Sequence, residues 1–356
     1  MGWQGAILEA GIRSLELGQT HYTSNSGTLE LRQAVSAYLE RLYGIEYDPV
    51  REILITVGVS EALYLVITGI IDPGDEVIIP EPSFVSFGPE VVFAGGVTVS
   101  IPTYIENEFQ VTAAEVEAAI TPRTKALLIS YPNNPTGAVM TRERLAELAA
   151  VAEKHDLIVI SDEIYDRLVY GDFHHTHFAT LPHMRPRTVV LGGFSKSHAM
   201  TGWRIGYAAF PKGLAARATD IQLHSTSAPC AVSQRAALAA LTGDSSHIAM
   251  MLAAYVQRRA LVLERIGRLP GLSMNPPLGT FYAFVNIRGL IGGDIRGRRL
   301  DNADAFTALL QKEARVRVLS GTPFGADSHV RLSFAVSYAD LEEGLRRTAS
   351  LLEEGV

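Results

Sequence analysis

Residues 188–207 read TVVLGGFSKSHAMTGWRIGY. An apolar run ends in two glycines, Lys196 follows, and Arg204 stands eight positions further on. A run that is apolar throughout is the pattern of a strand covered on both faces, and an amine at the end of such a strand is costly to bury while it is charged. Lys196 is therefore either a side chain that snorkels to the surface or an amine made less basic by burial, able to attack a carbonyl and form a Schiff base.

The same design repeats outward from that stretch. EILITVG (52–58), DEVIIPEP (75–82), KALLISYP (125–132), DLIVISDE (156–163) and IGYAAFP (205–211) are apolar runs separated by amphipathic stretches such as TRERLAELAAVAEKHD (141–156). Short buried strands alternating with helices predict an α/β fold with a mostly parallel sheet between helices. Several runs end in polar or glycine-rich residues, and an open α/β sheet displays its ligands at the carboxyl ends of its strands. From about Ala253 the pattern becomes a long amphipathic helix, the strand-like LGTFYAFVNI (278–287), a helix around DNADAFTALLQKEA (301–314), RVRVLS (315–320), HVRLSFAVS (329–337) and a last helix (338–354). This predicts a second, smaller α+β domain: residues 22–252 form the large domain, and 1–21 with 253–356 form the small one.

Composition narrows the function classes. At 356 residues and 47% hydrophobic the chain is long enough for two or three packed units. Net charge is −7 and the basic residues are scattered, so no basic stripe offers itself to nucleic acid. The single cysteine, Cys230, excludes an intrachain disulfide and a cysteine-based zinc site. The N-terminal residues lack signal-peptide order and no apolar run is long enough to cross a bilayer, giving the expectation of a cytoplasmic protein without membrane partners. His174, His175 and His177 in GDFHHTHF are expected to be solvated in a loop, and no metal site is expected.

Seven further residues could carry chemistry, each with an ordinary structural alternative. Asp162 ends a buried strand, where a carboxylate must be paired or hydrogen-bonded; it could hold a pyridinium nitrogen or cap a helix. Gly58, Val59 and Ser60 turn a strand into a helix, whose free amides suit a phosphate or form an ordinary capped start. Asn134 in YPNNPTG could point into a cleft or only form the turn. Arg204 and Arg331 lie in apolar surroundings and could bind a phosphate or carboxylate, or make structural ion pairs. Together they supply what one cofactor, pyridoxal 5′-phosphate, requires.

On these motifs the chain resembles the class I/II aminotransferases, pyridoxal-phosphate enzymes of fold type I, and most closely their aspartate/aromatic branch; GFSKSHAMTGWRIG (193–206) looks like that family's lysine signature. The resemblance implies an exchange of an amino group between an L-amino acid and a 2-oxo acid by a ping-pong cycle. It makes Lys196 the Schiff-base lysine and the acid–base group, Asp162 the partner of the ring nitrogen, and Tyr165 and Asn134 the partners of the phenolic oxygen. Phe84 is similar to the aromatic residue that stacks on the ring. The phosphate falls to Val59, Ser60, Glu61, Ser195 and Arg204, with Tyr22 of HYTSNSGTLELR (21–32) reaching the phosphate of a neighbouring subunit in a homodimer. Arg331 matches the arginine that grips the substrate carboxylate, with Asn134 and Phe84 beside the substrate. Relatives carry a longer stretch before HYT, with a GxPDF-like segment closing over the substrate; either this chain is truncated or its lid differs. Two alternatives stay open on the same residues: a C–S β-lyase on this scaffold, against which the KxxxMTGWR form speaks, and a non-catalytic cofactor-binding module.

Overall fold

A computed structural model describes residues 5–353. The first part of the chain runs α1 (Gly5–Glu16), α2 (Leu29–Tyr43), β1 (Ile53–Thr56), α3 (Gly58–Ile70), β2 (Glu76–Glu81), α4 (Phe87–Phe93), β3 (Val97–Pro102), α5 (Ala113–Ala119) and β4 (Thr124–Ile129). It continues through α6 (Arg142–Lys154), β5 (Ile158–Asp162), β6 (Thr188–Gly193), β7 (Gly206–Ala209), α7 (Ala215–Ser225), α8 (Ala231–Thr242) and α9 (Ser246–Ile266). These strands form one seven-stranded sheet of order β1-β7-β6-β5-β4-β2-β3. β7 pairs antiparallel with both neighbours and every other pairing is parallel.

Alternating side chains explain why the strands are apolar throughout. Leu128, Ile160 and Leu191 point to the face covered by α3 and α7. Their neighbours Leu127 and Val159 pack with Leu145 and Leu148 of α6, and Val190 packs with α2 and α8. With both faces covered, polar positions survive only at strand ends. All six apolar runs read from the sequence are strands of this sheet. β3 was not among them: it lies on the sheet edge, pairs only with β2, and is largely uncovered, so its sequence VTVSIP lacks the continuous apolar signature of a buried strand.

After α9 the chain forms β8 (Tyr282–Asn286), a short hairpin of β9 (Asp294–Ile295) and β10 (Arg298–Arg299), α10 (Ala303–Leu309), β11 (Leu319–Ser320), β12 (His329–Ser333) and α11 (Tyr338–Glu353). β11, β12 and β8 make an antiparallel three-stranded sheet. Its core includes Phe306, Val330 and Leu345, and extends to Ile164, Tyr165 and Leu168 just past β5. The expected domain limits do not follow these contacts. The limit at 253 falls inside the continuous helix α9. The helix α1, expected with the smaller domain, lies on α8 instead: Ile7 shares a core with α2 and α8, and Gly11 abuts Trp203 and Val232. Residues 1–4 and 354–356 of the expected smaller domain lie outside the described residues.

Glycines let three strand ends meet at the carboxyl edge. Gly193 at the end of β6 pairs with Gly206 at the start of β7. A Cβ on Gly206 would lie 2.8 Å from the carbonyl carbon of Gly58 and 2.9 Å from the nitrogen of Val59, contacts with backbone that cannot swing away. Gly206→Ala should therefore lower stability by about 1–3 kcal/mol, the usual cost of overpacking, while Gly202→Ala, with open space around its Cβ, should change it little. Denaturant midpoints of the two variants check this; equal midpoints would remove the role given to Gly206.

Candidate active site

The cavity at this carboxyl edge is lined by residues from five strand ends. Val59, Ser60 and Leu63 come from the β1–α3 turn and α3, Ser130 and Asn134 follow β4, and Asp162, Ile164 and Tyr165 end or follow β5. Ser195, Lys196, Thr201 and Arg204 come from the segment joining β6 to β7, and Phe84 and Phe87 follow β2. Nine of the residues proposed from sequence thus converge: Val59, Ser60, Phe84, Asn134, Asp162, Tyr165, Ser195, Lys196 and Arg204. Sequence reasoning missed Ser130, which its place at the end of KALLIS could have flagged, and the apolar lining by Leu63, Phe87 and Ile164.

Lys196 is half-buried, its Nζ 5.8 Å from the ring centre of Tyr165 and 5.7 Å from that of Phe281. Burial lowers its proton affinity, opposed by Asp162 and reinforced by the charges of Arg331 and Arg204. Asp162 is 6% exposed and accepts a hydrogen bond from the Ile164 N–H at 3.2 Å. Burial pushes its carboxyl up to about 7; the Ile164 bond opposes this, the neighbouring Glu163 adds to it, and Lys196 opposes it. Such a carboxyl is a poor anion until a cation meets it.

At the other end of the cavity α3 begins at Gly58, whose φ of 78° requires glycine. A Cβ there would lie 2.6 Å from Nη2 of Arg204, so the missing side chain is what admits the guanidinium beside the helix start. Arg204 itself has a left-handed backbone, φ 51°, and donates from Nη1 to the Thr201 carbonyl at 3.0 Å. The first turn of α3 has no side-chain cap on its cap residue Val57; free amides, a helix dipole and a guanidinium together make an anion site. Glu61 is not in the cavity. Its carboxylate faces away and accepts from the Val57 N–H, from Gln222 at 3.3 Å and from the Thr226 hydroxyl, bracing α3 against α7.

The third feature is Arg331 on β12, whose Nη1 donates to Asn134 Oδ1 at 2.6 Å. Its guanidinium lies 4.2 Å over the Tyr282 ring and 4.9 Å over that of Phe324, and its buried Nε has no hydrogen-bond partner among the described residues. Asn134 is thus no mere turn-former; the turn is held by Asn133, whose Oδ1 accepts from the Thr136 N–H and hydroxyl. Tyr165 directs its hydroxyl to that of Tyr282 at 3.3 Å. Tyr22 stands apart, 96% exposed, beside a surface hollow lined by residues 20–23 and 228–232. The histidine loop corrects its expectation in part: His174 is exposed, but the side chains of His175 and His177 are buried, and His175 Nε2 lies 2.6 Å from Glu163, because the buried Glu163 carboxylate recruits them.

A buried carboxyl short of a cation, a guanidinium with no carboxylate beside it among the described residues, and a helix start facing Arg204 together suit a small ligand that carries both an anionic and a cationic group. The family model for aminotransferase class I and II matches residues 6–347, and the chain belongs to that family. It is 40% identical over 348 residues to an aspartate aminotransferase of Geobacillus stearothermophilus, covering 98% of this chain and 87% of that one. It is 40% identical to aromatic-amino-acid aminotransferase 2 of Thermococcus litoralis over 354 residues, 98% and 88% of the two chains. The solved aromatic aminotransferase of Pyrococcus horikoshii superposes with a TM-score of 0.92 at 40% identity, covering 98% of this chain and 92% of that one. The protein is an aminotransferase that moves an amino group between an amino acid and a 2-oxo acid, with pyridoxal 5′-phosphate as cofactor.

The raised carboxyl of Asp162 has a measurable sign. Between about pH 4, where the unfolded carboxyl ionises, and about 7, the folded cofactor-free protein holds a proton that the unfolded chain has lost. Stability contributed by that proton is full below the window and is lost as the pH rises through it. Asp162→Asn should remove the slope, leaving cofactor-free variant and parent alike below pH 4 and the variant more stable above pH 7, by on the order of a few kcal/mol. Thermal unfolding of both proteins across pH tests this; parallel curves would refute it.

Proposed function

We propose the following roles for the residues of this cavity. Lys196 anchors the cofactor through its aldehyde, takes the proton from the donor's Cα, and returns one in the second half of the cycle. Its lowered proton affinity suits it to both tasks near neutral pH. Asp162 would hold the ring nitrogen in its protonated form, and Tyr165 and Asn134 the phenolic oxygen. Phe84 would lie against the ring. The amides of α3 at Val59 and Ser60, the Ser195 hydroxyl and Arg204 would hold the phosphate. When bound, the cofactor supplies an electron sink for the charge left on Cα.

Arg331 receives the substrate α-carboxylate. The observation that carries this reading is its guanidinium, set over the Tyr282 ring and, among the described residues, hydrogen-bonded only to Asn134, with Nε buried and without a partner there; a carboxylate satisfies it in the bidentate geometry arginine favours. Fixing the carboxylate orients the Cα bond that must break, and orientation of this kind contributes up to roughly 7–11 kcal/mol in favourable cases. Relatives named for aspartate and for aromatic amino acids set the donors to assay first, with 2-oxoglutarate, oxaloacetate and pyruvate as acceptors.

Lys196→Ala should cut transamination by on the order of 10²–10⁴-fold or more, the contribution of a placed acid–base group. It should leave the fold intact, since the amine makes no hydrogen bond that the core depends on. Steady-state turnover with and without a 2-oxo acid is the measurement: unchanged turnover in the variant refutes the assignment, and pyruvate released without any acceptor points to the lyase reaction instead.

The same reading makes the protein a cytoplasmic homodimer in which Tyr22 reaches the partner's phosphate site. Support comes from the exposure of Tyr22 and of Leu8, Ile12 and Leu15 along one face of α1, an apolar surface of the kind that partners cover. No helix among the described residues is long and apolar enough to cross a membrane. Sedimentation equilibrium should give twice the chain mass at micromolar concentration; a monomer retaining full activity would overturn the shared site.

A further inference from the structure

The turn after β5 sends its side chains alternately to two sides. Asp162 and Tyr165 line the cavity; Glu163 and Asp166 point the other way, into a buried polar layer between the turn, the histidine loop and α2. Glu163 gathers three donors there. Its Oε1 accepts from the Ser161 hydroxyl at 2.7 Å and the Phe178 N–H at 3.2 Å, and its Oε2 meets His175 Nε2 at 2.6 Å. His177 Nδ1 is 3.6 Å from Oε1, too far for a hydrogen bond, and its ring rests on Tyr43 at 4.6 Å. Asp166 Oδ2 accepts from the hydroxyls of Tyr43 at 2.6 Å and Tyr38 at 3.2 Å, which ties the turn to α2.

The charges in this layer are uneven. Burial works against a charge on His175, but attraction to Glu163 and the hydrogen bond His175 donates to that carboxylate outweigh it and raise its proton affinity. Burial also works against the Glu163 anion, and the two histidines with the Ser161 bond overcome it, holding the carboxyl down at about 2. His177 is lowered, chiefly by burial. The layer therefore centres on Glu163, next to Asp162 in the chain, with His175 at hydrogen-bond distance and His177 further off; the other charged or titratable groups facing it are Asp166, Arg167, Tyr38, Tyr43, Tyr47 and Tyr207. Breaking a buried pair by removing one partner leaves an uncompensated charge, here one residue from the carboxylate that faces the cofactor.

We propose that Glu163 and His175 are positioning residues for Asp162 and Tyr165: the pair anchors their turn from behind the cavity, and the histidine's charge balances a second carboxylate placed beside Asp162. This rests on the role proposed above for Asp162 as partner of the cofactor's ring nitrogen. With His175 replaced by a neutral group, Glu163 presses Asp162 to keep a proton, and its pairing with the ring nitrogen weakens. A ring carrying less positive charge lets the Lys196 nitrogen hold its own proton to higher pH.

The test uses the cofactor-loaded protein and reads the pH midpoint of its visible absorption band, with kcat as a second readout. His175→Gln should move the midpoint upward by about one pH unit and lower kcat roughly tenfold, as expected of an unbalanced charge at this range in a partly polar interior. The double variant Glu163→Gln with His175→Gln, which removes both charges, should return the midpoint to within a few tenths of a unit of the parent. A double variant displaced further than His175→Gln alone would make the pair a packing feature and overturn the inference. Asp162→Asn serves as control. If it leaves the midpoint unmoved, the ring-nitrogen role itself fails and this inference with it; if it moves the midpoint while His175→Gln does not, only the inference fails. Should His175→Gln not fold, Glu163→Gln decides: a midpoint at or below the parent's supports the charge balance, and an upward move overturns it.

Discussion

The structure turns on one constraint: a carboxylate, Asp162, ends a strand that is covered on both faces. Nothing in water requires a partner for such a group, but at a buried strand end its charge is costly unless met. The fold meets it only in part: the Ile164 N–H gives a hydrogen bond and Lys196 a distant positive charge, while the neighbouring Glu163 adds to the cost. What remains unmet faces the cavity, and it is this residual demand for a cation that gives the site its polarity. Burial lowers the proton affinity of Lys196 and raises that of Asp162 by the same physical cause, so each is brought toward neutrality where the other needs it.

Arg331 extends this logic across the molecule. It sits on the small C-terminal sheet, yet its hydrogen-bond partner Asn134 follows β4 of the large one. The Arg331–Asn134 contact therefore bridges the two sheets, and the rings of Tyr282 and Phe324 lie against the guanidinium. Tyr165 contacts the same Tyr282, so Tyr165 and Arg331 share one phenol between them.

Much of this was legible because burial on both faces of a sheet leaves a strong mark on sequence. The six apolar runs and the polar residues at their ends predicted both the sheet and the cavity. What failed to show did so for physical reasons. β3 is an edge strand with exposed positions, so no continuous apolar run betrays it. The histidines of GDFHHTHF read as solvated because their partner, Glu163, is twelve residues upstream of His175 and looks like part of a catalytic motif, not a buried anchor. Which asparagine of NNP turns the chain and which meets Arg331 depends on packing that spacing does not encode. α1 is amphipathic, and that pattern names a buried face without naming what covers it; Gly11 gives the contact with Trp203 only once the fold is known.

The antiparallel course of β7 has its own consequence. A parallel successor to β6 would have to start from the opposite edge of the sheet, so its connection would run the length of the sheet instead of staying at this edge. Because β7 runs back, the segment 194–205 leaves and re-enters the sheet at the same edge, with Lys196 near one foot and Arg204 near the other. The amine and the guanidinium are thus fixed to one another by a single short span of backbone whose feet are pinned by paired glycines. On the roles proposed for Lys196 and Arg204, that span would act as a gauge for the length of the molecule held between them, and inserting or deleting a residue in it would change that dimension directly.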